Sequence, residues 1–479
     1  MYKSMFHILR FEFKQLLGTR LFWWVSAILA VSIFFAIYNG KEAMTAKKDL
    51  VKKLKEEETK RYGKFMLDFD SLNAGTKKVK LPWFQDPRTP LTVGMFRNSG
   101  KYAILEPAPL SLISTGQSDI EIFYSKVSYL TDILQANNIN FENPFNIATG
   151  QFDLAFVLVF LLPLLVIALA YNILSAEREQ GTLPLLLSQP MQIRHWLVAK
   201  LAFRFVFLLM AMLTLLMLAF TILGIDFINF GFFQLILVIT FYTLFWFALS
   251  FFINLLGKSS AMNTLLLLSV WLLFVFIIPS VANMIATSIF PVPSRVELVN
   301  AKRQAEQETE RNKQAILKKF YQAHPQLVQK SEKEQTDQDY YREYISLHEV
   351  IEEEVSKVQQ AFDYQLEGQQ AFANQFQYFS PAVLMQNALN EIAQTDSKFY
   401  KTFQKNITNY QQKWKAFFKP KFINDKKMTV ESFAQIPVYE PTTKVGSSFF
   451  GQFSGLILFS LVLGLLAFAR QSKYQNIIA

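Results

Sequence analysis

Six apolar runs are spaced along the chain, and long polar stretches separate the first run from the second and the fifth from the sixth. Each run supplies about 18 or more mostly apolar residues, enough for an α-helix to cross the hydrocarbon core of a bilayer. The pattern therefore predicts an α-helical membrane protein with six transmembrane helices. The predicted spans are Leu21–Tyr38, Phe152–Leu174, Leu197–Leu223, Phe232–Leu256, Ala261–Ala286 and Phe449–Ala469.

The first apolar run could also belong to a secretory signal peptide. It is longer than the roughly 7 to 15 residues of a typical signal core, and no small-residue cleavage site follows it. We therefore interpret this run as an uncleaved membrane anchor.

Residues 1–20, before the first span, have two faces when drawn as a helix. We predict an amphipathic helix that lies on the cytoplasmic surface of the membrane. A cytosolic extension of the first span is the alternative. The apolar face contains Phe6, Leu9, Phe13 and Leu16, and the basic face contains Lys3, Arg10 and Lys14.

The two long polar segments, 39–151 and 287–448, differ in pattern. The first begins as a charged helix and continues with short pieces separated by Pro and Gly, which predicts a mixed domain. The second has long, highly charged helical patterns that predict a mainly helical domain, arranged as a hairpin or bundle. A Pro-containing segment, YFSPAVLMQNALNEIAQTD, then leads the chain back toward the membrane.

Positive charge gives the expected orientation. The net charge is +10, and the excess of Lys and Arg is explained by positions beside a cytoplasmic leaflet, so nucleic acid is not an expected partner. Both termini and the connection 175–196 are then cytoplasmic, the two long segments are extracytoplasmic, and the tail is 470–479. The basic residues near these connections are Arg20, Arg178, Arg194, Lys200, Lys258, Arg470 and Lys473.

The sequence gives little indication of catalysis. There is no Cys, and the four His are too far apart in sequence for a short metal-binding motif, so we expect no metal site. Gly257-Lys258-Ser259 ends like a nucleotide-binding loop, but Phe252 stands where that motif needs Gly, and we predict a turn. We expect a chain without catalytic residues or a cofactor of its own.

The connection between the second and third spans, SAEREQGTLPLLLSQP, is unusual. Its three consecutive charges cannot lie in hydrocarbon at low cost. Gly181 is expected to end the helix from the second span, and Thr182 to cap a short new helix with Pro184 in its first turn. The leucines of that helix need a partner or a place on the bundle. A plain loop on the membrane surface is the alternative.

This connection resembles the hallmark of ABC-2 type permeases, the six-span membrane subunits of ATP-driven exporters. The external blocks WFQDPRTP and SPAVLMQNALNEIAQTD look like those of a subgroup with large insertions after spans one and five. The resemblance implies that the element couples to an ATPase subunit. The residues that match the coupling motif are Glu177, Arg178, Glu179, Gly181, Thr182 and Leu183.

The resemblance also implies partners and a location. Two cytosolic ABC ATPase subunits would supply ATP and Mg²⁺ chemistry, and a second copy or a related permease would complete the core. A bacterial cytoplasmic (inner) membrane is expected, with a possible periplasmic partner. Because spans two and five tend to line the path in this family, Tyr171, Asn172, Asn263 and Asn283 are candidate path residues. Interhelical hydrogen bonding is the alternative role for Asn263 and Asn283.

Two other functions are compatible with the pattern. A secondary transporter would need buried acidic or His residues in mid-span, and the predicted spans contain none there. A membrane-anchored sensor or scaffold would use the large external domains but would leave the coupling motif without a role.

Overall fold

A computed structural model describes residues 10, 12–15, 17–74, 85–96, 99–131, 152–188, 193–325, 337–424, 426–441 and 446–478. The described chain is predominantly helical, and six of its helices are long and apolar enough to cross a membrane. The predicted α-helical membrane protein with six spans is thereby confirmed. The six helices are Phe22–Asn73, Leu154–Glu179, Trp196–Ile222, Phe230–Asn254, Ser260–Ile289 and Phe449–Arg470.

The second and fourth spans form the centre of the bundle. In each, 67% of the most apolar window is buried by the rest of the chain, against 17% to 33% in the other four spans. The fourth span is one helix, α8 (Phe230–Asn254), with fully buried aromatic side chains that include Tyr242, Phe245 and Trp246. The outer spans therefore present most of their apolar surface away from the bundle.

Two spans are interrupted by a π-helical turn. Phe160 in one turn and Phe276 in the other have ring centroids 5.6 Å apart, which shows that the two turns lie close together. The second span consists of α3 (Leu154–Phe156), a π-helix (Val157–Leu161), α4 (Leu162–Ala170) and α5 (Ser175–Glu179), and α6 (Leu183–Leu187) follows it. The fifth span consists of α9 (Ser260–Leu272), a π-helix (Leu273–Ile277) and α10 (Ile278–Ile289).

Helix bounds extend beyond several predicted spans. The first helix, α1 (Arg20–Asn73), has 54 residues, so it is about 80 Å long at 1.5 Å per residue. The predicted first span and the charged stretch after it are thus one continuous helix, since no Pro interrupts them. The third span is α7 (Ile193–Ile222), and the sixth, α17 (Phe449–Ile478), continues through the predicted tail.

The predicted N-terminal surface helix falls mostly outside the described residues. Phe6, Leu9, Leu16 and Lys3 are not described, whereas Arg10 and residues 12–15, 17 and 18 are helical. Glu12 in this segment is buried, with 2% of its surface exposed.

The remaining elements pack into a second body that we call the head domain. It combines the C-terminal part of α1 with residues of both long segments around a core that contains Trp414, Phe418 and Tyr129. The two strands described in this domain, β1 (Lys101–Ile104) and β2 (Tyr124–Val127), form an antiparallel pair. The helices of the head domain are α2 (Pro90–Gly94), α11 (Arg295–Arg311), α12 (Lys313–Ala323), α13 (Asp337–Phe376), α15 (Ser397–Ile423) and α16 (Val430–Ala434).

One further helix, α14 (Pro381–Ala393), connects the head domain to the spans. Its apolar residues belong to the same core as the bundle. The hydroxyl of Ser380, which caps α14, donates to the carbonyl of Phe274 in the π-helix of the fifth span at 2.6 Å. That bond satisfies a polar group at an irregular turn, where ordinary helical pairing is disturbed.

Glu391 on α14 holds the start of the sixth span. Its carboxylate accepts from the backbone N–H groups of Ser448 (2.8 Å) and Phe449 (2.9 Å) and from the hydroxyls of Ser447 and Ser448 (both 2.6 Å). A negative charge at this position also complements the helix dipole.

We predict that Glu391→Ala destabilises the protein by about 1 to 3 kcal/mol, because several donors at the start of α17 lose their acceptor. The melting temperature of the purified protein in detergent measures this loss. Glu353→Ala, at an exposed position on α13, is the matched control and should change the melting temperature little. Equal melting temperatures for the two variants would contradict the capping role.

Candidate functional site

The connection between spans two and three turns sharply at Gly181. Helix α5 ends at Glu179, and Gly181 has a φ of 70°, a backbone conformation that side chains with a Cβ disfavour. The N–H of Thr182 donates to the carbonyl of Glu177 at 3.0 Å, and the N–H of Gly181 donates to that of Arg178 at 3.2 Å. This pair of bonds is the Schellman motif, in which the expected glycine ends the helix.

The three consecutive charges contact three different parts of the bundle. Glu177 accepts from Lys200 on α7 at 3.0 Å. Arg178 donates to the carbonyls of Gly257 and, at 2.7 Å, Lys258 in the turn between spans four and five.

Glu179 accepts at the start of the fifth span. Its carboxylate receives the backbone N–H of Ser260 at 2.7 Å and the Ser260 hydroxyl at 2.8 Å. Gly257-Lys258-Ser259 therefore lies in a turn before α9, as predicted, and Ser259 caps that helix by accepting from the N–H of Met262. A displacement of α5 would therefore be transmitted to spans two, three and five together.

Thr182 has a role that the sequence did not indicate. We expected it to cap α6, and the structure shows its hydroxyl donating to the carbonyl of Glu177 at 3.1 Å and to the Glu177 carboxylate at 2.5 Å. The residue therefore orients the carboxylate that Lys200 contacts. The charged end of α5 and the residue that precedes α6 are thus fixed to each other.

Buried charges lie beneath this turn. Lys200 bridges Glu177 and Glu12, with a distance of 3.1 Å from its Nζ to the Glu12 carboxylate. Arg204 contacts the other Glu12 oxygen at 3.4 Å. Lys200 and Arg204 are four residues apart on α7, and both are buried, with only 3% and 8% of their surfaces exposed. Burial of charge requires such pairing.

The second span loses regular helical structure between α4 and α5, at residues 171–174. Side chains from three other spans satisfy the backbone groups near this break. Arg204 donates to the carbonyl of Leu169, Asn254 to that of Ala170 at 2.9 Å, and Asn263 to that of Tyr171 at 3.2 Å. The N–H of Leu174 donates in turn to Asn254 at 3.3 Å.

The four candidate path residues do not form one cluster. Asn263 is fully buried and donates between helices, which is the alternative role considered for it. Tyr171 and Asn172 are half-buried in the break beside it. Asn283 is exposed on α10, about 30 Å further along the fifth span at 1.5 Å per residue.

The structure describes the side chains of two α6 leucines, and they differ in exposure. Leu183 is buried, whereas 68% of the Leu185 surface is exposed. An exposed leucine next to an anchored charged turn is suited to contact with another molecule. Leu183 therefore has the place on the bundle that the sequence required, and Leu185 stays exposed.

Comparison with known proteins gives one match. Residues 295–442, a minority of the chain, match a family model described as a domain of unknown function (DUF3526). The match covers much of the head domain and none of the residues between spans two and three. No curated protein matches the chain. No solved structure matches it.

Several parts of the site were not predicted from the sequence. Glu12 was not recognised as the partner of Lys200 and Arg204, although an acidic residue within a basic amphipathic segment is a signal for a buried ion pair. Ser260 was missed because its role depends on the distance between two loops. That distance is not readable from spacing along the chain.

We predict that Lys200→Met destabilises the protein by about 3 to 5 kcal/mol, because Glu12 then keeps a buried charge with a weaker set of partners. The melting temperature in detergent should fall clearly. Lys258→Met, whose side chain is exposed, is the control and should melt like the unmodified protein. Similar melting temperatures for both variants would show that the buried network contributes little.

Proposed function

We propose that this chain is the permease subunit of an ATP-binding-cassette transporter of the ABC-2 exporter type. It would couple ATP hydrolysis by a separate cytosolic ATPase to export or to extracytoplasmic mechanical work. The observation that supports this most directly is the anchoring of Glu177, Arg178 and Glu179 to three parts of the bundle beside the exposed Leu185. The resemblance of the same residues to the family's coupling motif adds to it.

The proposed mechanism transmits force through this site. An ATPase surface would contact α6 at Leu185, and its closure would displace α5 and α6 as one unit held by Gly181 and Thr182. Glu177 would pass the displacement to the third span and Glu179 to the fifth. A change of a few kcal/mol in the relative stability of two bundle states is enough to invert their populations.

The proposed partners follow from the same reading. Two ATPase subunits would bind ATP and Mg²⁺, since we assign no cofactor and no catalytic residue to this chain, and we expect no nucleic acid partner. A second copy or a related permease would pack beside it in the lipid bilayer. The fifth span supports this arrangement, because only 17% of its most apolar window is buried within the chain.

The proposed location is a bacterial cytoplasmic membrane with both termini inside. The head domain would then be the extracytoplasmic part, formed by a mixed first insertion and a mainly helical second one. Asn283 would face a path or a partner from the exposed side of the fifth span. Tyr171, Asn172 and Asn263 would act at the break in the second span.

The coupling proposal predicts that variants of α5 and α6 lose ATPase stimulation but still insert into the membrane. Leu185→Glu removes the exposed apolar contact, Glu177→Ala releases Lys200, and Gly181→Pro forbids a positive φ. We expect at least a tenfold loss of stimulated ATP hydrolysis, which corresponds to about 1.4 kcal/mol in activation free energy. The measurement is copurification and ATPase activity with the candidate ATPase.

Val430→Glu is the matched control, because Val430 is an exposed apolar residue of the head domain, 58% exposed. It should copurify with the ATPase and stimulate it normally. Unchanged ATPase binding and turnover in all three α5 and α6 variants would contradict the proposal and would favour a sensor or scaffold.

The orientation can be tested independently, because the native chain has no Cys. A single cysteine at Val430 should react with a membrane-impermeant maleimide in intact spheroplasts. A cysteine at Leu185 should react only after the membrane is opened. The reverse labelling pattern would place α6 outside the cell, where it could not meet a cytosolic ATPase.

A further inference from the structure

A large groove lies in the head domain, away from the site described above. It runs between α11, α13 and α15 and has a volume of about 1300 Å³. Binding sites for drug-sized molecules are commonly about 300 to 1000 Å³, so this groove has room for a larger occupant.

The two longest walls of the groove carry opposite charge. The groove-lining residues of α13 include Glu343, Glu352, Asp363 and Glu367 and no Lys or Arg. Those of α15 include Lys401, Lys405 and Lys415 and no Asp or Glu. An occupant would therefore meet acidic groups along one side and basic groups along the other.

The charged groups contact each other at two places across the groove. Lys415 pairs with Glu352, and Lys405 lies 3.8 Å from Glu367. Burial raises the pKa of Asp363 and lowers that of Lys401, despite the favourable charge of each for the other. Lys401 is half-buried, whereas Asp363, Glu367 and Lys405 are exposed, so their charges are accessible to an occupant.

An apolar stripe runs between the charged walls. Leu347, Ile351 and Val355 follow one another at intervals of four residues on α13, and Ile407 adds to them from α15. This spacing places them on one helix face, the arrangement that receives the apolar side chains of another helix. Charged residues flanking such a stripe commonly select the partner.

The groove is long as well as wide. Its lining extends on α13 from Tyr340 to Glu367, about 40 Å at 1.5 Å per residue. On α15 it extends from Lys401 to Lys415, about 21 Å by the same measure. A helix of roughly four turns would contact both walls over the shorter length.

We propose that this groove binds an amphipathic helix of a partner protein, with a basic flank against α13 and an acidic flank against α15. The alternation of charge and apolar surface fits a helix better than the other candidates. A nucleic acid or another polyanion would be repelled by the α13 wall, and an acyl chain would desolvate most of the charged lining without pairing it.

Three synthetic 21-residue helical peptides with the same leucine stripe test the proposal. The first has a lysine flank and a glutamate flank, the second has lysine on both flanks, and the third has glutamate on both. A fluorescent group on Ser356→Cys, in the groove of the full chain in nanodiscs, reports binding as an emission shift. The mixed peptide should bind about tenfold more tightly than either uniform peptide.

Reversal of one wall should change this preference. With Lys401→Glu and Lys405→Glu the α15 wall keeps Lys415 but carries a net negative charge like the α13 wall, so the peptide with two lysine flanks should become the tightest binder. The matched control is Lys398→Glu with Lys413→Glu, two exposed positions of α15 that do not line the groove, and it should keep the original order.

The comparison of the three peptides on the unmodified groove does not depend on whether the reversed variant folds. Absence of an emission shift with the mixed peptide, or equal affinity for all three peptides, would overturn the proposal. An equal emission shift with phospholipid micelles alone would also overturn the proposal, since the groove would then bind lipid without discriminating between charged flanks.

Discussion

Backbone polar groups at the break in the second span must be satisfied inside the bundle, and much of the structure depends on this requirement. Ala170, Ile173 and Leu174 are buried there, and an unpaired carbonyl removed from water costs several kcal/mol. Arg204, Asn254 and Asn263 supply the donors from the third, fourth and fifth spans. These bonds fix four helices relative to one another at the end where α5 begins.

The same requirement places the charged residues of α5. Because the break is held by side chains of other spans, α5 lies next to α7 and the start of α9, within reach of Lys200 and Ser260. The fifth span then links two distant contacts: Glu179 holds its first residue, and Phe274, 14 positions later and about 21 Å away, accepts from Ser380 at the base of α14. One helix thus joins the short connection to the head domain.

The head domain and the bundle are stabilised by different means. The bundle has large apolar faces and polar bonds concentrated at the break and at α5, whereas the head domain has aromatic packing around Trp414 and charged pairs between α13 and α15. The groove lies where α13 and α15 are joined by Lys–Glu pairs rather than by close apolar packing. Such pairs can exchange one partner for another at modest cost.

Length and hydrophobicity determined the six helices from the sequence alone, because a bilayer imposes a minimum apolar length that can be read directly. Gly181 was also recognisable, since few other residues adopt its backbone conformation. The sequence did not determine the partners of Lys200 and Arg204, the cap that Glu391 gives to α17, or the groove between oppositely charged helices. Each of these joins residues far apart in the chain, and only the packing of the helices decided which polar groups came within hydrogen-bonding distance.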